Sequence, residues 1–186
     1  MCIAGLPGSG KSTAAEIFKE NGFRVIEMSS LVKASMKEHK IEVNIGNIVK
    51  YAHDWRAKMG NDIVARTAIK QMKSNKSKNF IVSGVRSTSE LKAFREYDST
   101  LILLLTSPQA ERYKRVRKRA EPKDPKSRKE FLEREKSDAR GYEKHKRITG
   151  IDRITKEADI IIANTSTKAA FRADVLRAAK YIKKLC

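Results

Sequence analysis

The chain has 186 residues, 40% of them apolar, which suits one compact α/β domain with at most a small inserted lid. Its formal charge of +19, from 41 Lys and Arg against 22 Asp and Glu, attracts polyanions without choosing among nucleotides, RNA and acidic membranes. A membrane span is excluded, because the longest apolar run, Thr100 to Thr106, falls far short of the ~20 residues needed.

In chain order, Met1–Ala4 reads as a first strand, and because the sequence opens directly into it no targeting segment is expected. A glycine loop leads to a helix over Lys11–Glu20, closed by Asn21-Gly22 as its C-cap. A second strand, Phe23–Met28, precedes helices at Ser30–His39, Ile45–Met59 and Asp62–Lys73. The third strand is Asn79–Ser83, with a helix at Ser87–Glu96, and the fourth is Leu101–Leu105. Ser107-Pro108 starts a helix reaching Arg119, with proline in its first turn. Ala120–Ser127 carries two prolines and several charges and reads as a hinge. A helix at Ser127–Tyr142, a strand at Asp159–Ala163 and a helix at Thr167–Lys184 complete the pattern. Short apolar runs alternating with longer helical stretches predict a parallel sheet with crossover helices, in one domain over 1–186. Cys2 and Cys186 have no partner in their own neighbourhood and read as free thiols in a reducing cytosol. Three scattered histidines and two terminal cysteines give no zinc spacing.

Gly5-Leu6-Pro7-Gly8-Ser9-Gly10-Lys11-Ser12 matches G-x-x-x-x-G-K-[ST] at every fixed position. The context fits as well, with a strand before the loop and an amphipathic helix (Ala14, Ala15, Ile17, Phe18) after it. Glycines let successive N–H groups turn inward toward phosphate oxygens, and the helix N-terminus adds its partial positive charge. Lys11 is expected on the β- and γ-phosphates and Ser12 on Mg²⁺. The expected nucleotide-binding set is Gly5, Pro7, Gly8, Ser9, Gly10, Lys11, Ser12 and Thr13, with ATP and Mg²⁺ as cofactors.

The third strand runs out through Ile81-Val82-Ser83-Gly84-Val85-Arg86. An arginine at the carboxyl end of a strand beside the phosphate loop either projects into the ligand crevice or starts the next helix facing solvent. In the crevice, guanidinium suits bidentate grip on a second phosphate. Arg112, Arg115 and Arg119 share one helix face at i, i+3 and i+7. Beside a hinge, such a stripe either closes over transferring phosphates or is a solvated surface, and the phosphate loop in the same domain favours closure. Residues 112–147 hold 16 basic and 7 acidic side chains, which adds to that reading. Arg134 and Arg140 are weaker candidates on the next helix.

The phosphate loop, Met28-Ser29-Ser30, Ser83-Gly84-Val85-Arg86-Ser87, Asp124-Pro125-Lys126-Ser127 and Ala158-Asp159-Ile160-Ile161-Ile162-Ala163-Asn164 together resemble an archaeal family of adenylate-kinase-related P-loop proteins, over nearly the whole chain. The resemblance implies the nucleoside monophosphate kinase fold, a five-stranded parallel sheet in order 2-3-1-4-5 flanked by helices. It also implies an acceptor-binding helical segment at about 30–75 and a lid at about 112–147. It further implies that Arg86 binds the acceptor's phosphate, that Arg115 and Arg119 contact both phosphate groups from the helix entering the lid, and that the turn at Asn164 lies near the donor's adenine; Arg112 joins Asn164 in the expected nucleotide-binding set.

Ser30, Lys33 and Ser83 depart from the family, whose members carry Asp or Glu, Arg and Asp there. A hydroxyl acceptor benefits from a carboxylate that takes its proton, whereas a nucleoside monophosphate offers an oxygen that is already anionic. The missing acids therefore point to a phosphorylated acceptor, although Glu27, Asp54, Asp62 or His53 could supply a base. Three readings stay open. One is an ATP- and Mg²⁺-dependent nucleoside monophosphate kinase. Another is a kinase of a hydroxyl acceptor such as dephospho-CoA. The last is a nucleotide-dependent RNA-binding or switch protein with weak ATPase activity. The expected partners are a nucleotide donor and a small phosphorylated acceptor, with nucleic acid less favoured and no membrane.

Overall fold

Alternation along the apolar strands decides which side chains each sheet face buries. The computed structural model describes residues 1–75, 79–98, 100–121, 124–140 and 150–185. Its strands are β1 (Cys2–Ala4), β2 (Arg24–Glu27), β3 (Phe80–Ser83), β4 (Ile102–Thr106) and β5 (Ile160–Ala163). They form one parallel sheet in the order β2-β3-β1-β4-β5, the order the family resemblance implies. Cys2, Ala4, Ile26, Val82, Ile102 and Leu104 face one core. Ile3, Ile81, Leu103, Leu105 and Ile162 face the other. This period of two, buried on both sides, is why the strands read as continuous apolar runs.

The first core is covered by α2 (Met28–Glu38), α3 (Ile45–Met59), α4 (Ile63–Lys73), α5 (Thr88–Tyr97) and α8 (Gly150–Glu157). The second is covered by α1 (Lys11–Glu20) and α9 (Lys168–Leu185). There Phe18 packs edge-on against Phe23, with ring centroids 5.3 Å apart. Two helices, α6 (Gln109–Arg119) and α7 (Arg128–Arg140), lie along the chain between β4 and α8. Burial pushes the Cys2 thiol up to about 12, so it stays protonated and inert at neutral pH. No helix among the described residues is long and apolar enough to cross a membrane.

Most elements lie within a residue or two of expectation, and the departures that matter are at α2 and α8. The strand expected to run to Met28 ends at Glu27, and α2 starts at Met28 instead of Ser30. Met28 is buried under the sheet end, so the chain turns from strand to helix without a loop, and Ser29 and Ser30 sit exposed on the first turn. Helix α8 was not expected; it carries Ile154 into the first core. The far part of the expected lid, 141–147, the end of the helix expected to reach Tyr142, and Cys186 lie outside the described residues.

Candidate functional site

Order 2-3-1-4-5 sends the chain from β1 toward one edge and from β3 toward the other, so the topological switch lies between these neighbouring strands. Crevices outside the carboxyl ends of strands at such a point are where open α/β sheets bind ligands. Ile3 and Ser83 are partners in register, and Gly84 N donates to Ile3 O at 3.2 Å. The glycine loop and the Arg86 turn therefore leave the sheet side by side.

The glycine loop has the backbone its composition predicts. Gly5, Gly8 and Gly10 take φ of 148°, 79° and 107°, which side chains rarely tolerate. Space is as restrictive as torsion. A Cβ on Gly8 would sit 2.6 Å from Arg112 O, and one on Gly10 would sit 2.6 Å from Asn164 Nδ2. Gly10 is the N-cap of α1, so the loop ends on the positive end of that helix. Lys11 Nζ donates to Gly5 O (2.7 Å) and Leu6 O (3.0 Å), spanning the loop from within. Ser12 and Thr13 are exposed on the first turn. Ser9 is 1% exposed, and its Oγ has no hydrogen-bond partner. A positive-φ glycine loop ending on a helix N-terminus, with a lysine and an exposed serine, fits a triphosphate and its divalent cation.

Two further strand ends clasp this loop. Asn164, in the turn after β5, donates from Nδ2 to Ser9 O at 3.0 Å, and its own N–H donates to Thr106 O at 2.8 Å. Arg115 donates to Gly8 O (3.3 Å), Ser107 Oγ (3.0 Å) and Asn164 O (2.9 Å), joining three loops with one guanidinium.

The other two arginines of the stripe are directed elsewhere. Arg112 meets the glycine loop through its main chain, while its buried guanidinium pairs with Glu135 of α7 at 2.7 and 3.1 Å. It also donates to Ser107 O at 2.8 Å and lies 6.0 Å from the Phe131 ring centroid. Arg119 pairs with Asp124, with Nε 2.8 Å from Oδ2, and also with Glu121. Burial raises the Asp124 carboxyl, but hydrogen bonds from Arg119 and the Glu121 N–H outweigh it and hold Asp124 below the ordinary value. Glu135 is likewise lowered, burial being outweighed by hydrogen bonds from Arg112 and Gln109. Arg119 is raised, chiefly by its hydrogen bond to Asp124. The stripe therefore divides, with Arg115 on the glycine loop, Arg112 on α7 and Arg119 on Asp124 and Glu121.

At the end of β3, Arg86 lies two residues after Gly84, whose φ is 95°, and precedes Ser87, the N-cap of α5. Ser87 and Glu90 form a reciprocal capping box. Glu90 is 0% exposed; it accepts from Arg86 N (2.9 Å), Ser87 N (3.3 Å) and Arg56 Nη2 (2.9 Å). The candidate bases are spread apart. His53 and Asp54 contact each other on exposed surface at 3.4 Å, and Asp62 pairs with Arg66 at 3.1 Å. Glu27 ends β2 in register with the buried Ser83, so a carboxylate does stand at the strand ends. It lines a cleft of about 560 Å³ together with Ser30, Leu31, Glu38, Trp55 and Gln71.

Arg56 and Glu90 were not anticipated from sequence. Ser87-x-x-Glu90 has the capping-box spacing, so Glu90 was open to detection. Arg56 lies 34 residues away from it, and nothing local marked it.

A family profile described as an AAA domain matches residues 1–153. A UPF0200 protein of Saccharolobus islandicus is 32% identical over 173 residues, covering 91% of this chain and 86% of its own. Among solved structures, a dephospho-CoA kinase from Campylobacter jejuni superposes with a TM-score of 0.59 at 20% identity, covering 98% of this chain and 96% of that one. A shikimate kinase from Acinetobacter baumannii gives 0.55 at 14%, covering 98% and 92%. At these identities the likeness is one of fold, and the fold is that of P-loop kinases.

Proposed function

Because this chain belongs to the AAA-domain family and to the UPF0200 proteins, we propose that it is a cytosolic, ATP- and Mg²⁺-dependent phosphotransferase whose acceptor is a nucleoside monophosphate. The supporting observation is the side-by-side exit of the glycine loop and the Arg86 turn from neighbouring strands, with a serine, Ser83, at the end of β3. In this reading 1–186 is one kinase domain, with acceptor contacts from about 30–75 and a lid from about 112–147.

The loop N–H groups and Lys11 hold the donor's phosphates, and Ser12 ligates the cation, which neutralises charge on them when bound. Arg86 grips the acceptor's phosphate. An anionic oxygen of that phosphate attacks the donor's terminal phosphorus as the bond to the bridging oxygen breaks, leaving a diphosphate on each partner. No proton needs to be removed, so the step calls for positioning and charge neutralisation, which arginines provide. Arg115 stands where it can turn from loop carbonyls to the transferring group. Arg112 and Arg119 act in this reading by holding the lid. Asn164 backs the loop near the donor.

A second reading has its own observation. Glu27 lies in register beside Ser83, so a carboxylate at the strand end could take the proton of a hydroxyl acceptor such as dephospho-CoA. A coupled assay against nucleoside monophosphates and dephospho-CoA, run on the parent and Glu27→Gln, separates the two. Turnover with a monophosphate, spared in Glu27→Gln, is expected. Turnover with dephospho-CoA alone, lost in Glu27→Gln, would replace the first reading by the second.

A further inference from the structure

Two buried charges lie outside the roles assigned so far. Glu90 is fully buried and Arg56 nearly so, and their ion pair measures 2.9 Å. Such a pair is weak evidence for stability, because desolvating both charges offsets their attraction. Nor does capping explain it, since the Ser87 box needs neither burial nor a cation. The pair is better understood by what it joins. One oxygen of Glu90 holds the main-chain N–H groups of Arg86 and Ser87, and the other holds Arg56, which also donates to Ala52 O at 3.2 Å. A single carboxylate thus links the Arg86 main chain to α3.

That turn is held by packing and by hydrogen bonds together, with Val85 and Ser87 both buried. Gly84 has a φ of 95°, and a Cβ built on it would meet nothing nearer than Met28 Cβ at 3.7 Å, so the turn's backbone path depends on what holds its two ends. Those ends carry hydrogen bonds, Gly84 N to Ile3 O and Arg86 N to Glu90, and the second ties the Arg86 main chain to the buried carboxylate.

We infer that Glu90 and Arg56 are positioning residues, holding the Arg86 turn against α3 so that Arg86 presents its guanidinium to the acceptor phosphate in one orientation. This rests on the reading of Arg86 as the acceptor's phosphate grip. It also joins acceptor recognition by α3 to the geometry of transfer.

The test is a double-mutant cycle on the full chain with Arg86→Ala, Glu90→Gln and both, using AMP as the acceptor probe. AMP affinity is measured by calorimetry, which needs no turnover, beside affinity for a non-hydrolysable ATP analogue. Glu90→Gln should weaken AMP about tenfold, leave the ATP analogue within about twofold, and cost nothing further once Arg86 is Ala. If Glu90→Gln does not fold, Arg56→Lys, which keeps the charge but loses the fork, takes its place in the same cycle. Equal losses with and without Arg86, or parallel losses of AMP and ATP-analogue affinity, would overturn the inference alone. A parent chain that binds the ATP analogue but no AMP would overturn the acceptor reading and the inference with it.

Discussion

Asn164 offers a direct way to perturb the phosphate loop from outside it. Its amide donates to Ser9 O at 3.0 Å, and both residues are buried. Asn164→Ala leaves that carbonyl without its donor, at a cost of about 1–3 kcal/mol. The cavity beside Gly10 and Phe171 adds about 1 kcal/mol more. A total of about 2–4 kcal/mol corresponds to roughly 5–15 °C in Tm for a chain of this size. Asn164→Asp keeps the shape but turns a donor into a second acceptor facing Ser9 O, so it should lose more than alanine does. If the strap holds the loop in its binding geometry, affinity for a non-hydrolysable ATP analogue falls about ten- to hundredfold in both variants, at about 1.4 kcal/mol per tenfold. Thermal melts and calorimetric titration read the two effects. An alanine variant with unchanged Tm and affinity would refute the strap. One that melts early but binds normally would show that Asn164 does not organise the loop for nucleotide.

Gly8→Ala should abolish detectable binding of the ATP analogue. Its φ of 79° costs about 1–2 kcal/mol for any other residue, and the new Cβ would press on the α6 main chain at 2.6 Å; retained affinity in calorimetry would contradict this. Arg112→Met, which takes the guanidinium from Glu135 and leaves it the Gln109 amide, should destabilise by about 3 kcal/mol in urea unfolding. The double variant Arg112→Met/Glu135→Leu should recover most of that, and failure to recover would show that the pair does more than offset its own desolvation. Asp124 and Glu135 have lowered folded values, so their contribution is complete above the unfolded carboxylate range of about 4 and is lost as pH falls through the lower folded values. Melts from pH 7 to pH 3 should therefore drop more steeply for the parent than for Asp124→Asn, and parallel curves would count against the hinge pairing.

The parts of the site that are local in sequence were the legible ones. Glycines at 5, 8 and 10 constrain their own backbone, so the phosphate cradle could be read without knowing what surrounds it. Short apolar runs between helical stretches likewise revealed a parallel sheet, but pattern alone did not order the strands; the family resemblance did. What escaped was set by contacts distant along the chain. Arg112, Arg115 and Arg119 share a helical face, and nothing on that helix indicates that Glu135, Asn164 and Asp124 draw them in three directions. The strand ends looked stripped of acids because Ser30 and Ser83 replaced them, while pairing of β2 with β3 brings Glu27 back to that edge. Helix α8 lacked a readable start, since its first residue is glycine.

Transfer of phosphate to a small acceptor, from a donor held at Gly5 to Ser12, can be followed by incubating the protein with γ-labelled ATP, Mg²⁺ and a panel of nucleoside monophosphates and dephospho-CoA, beside Lys11→Ala. Label should appear on an acceptor with the parent chain and on none with Lys11→Ala. Acceptor-independent ATP consumption with RNA binding that weakens steeply with salt, or transfer that survives in Lys11→Ala, would contradict the account.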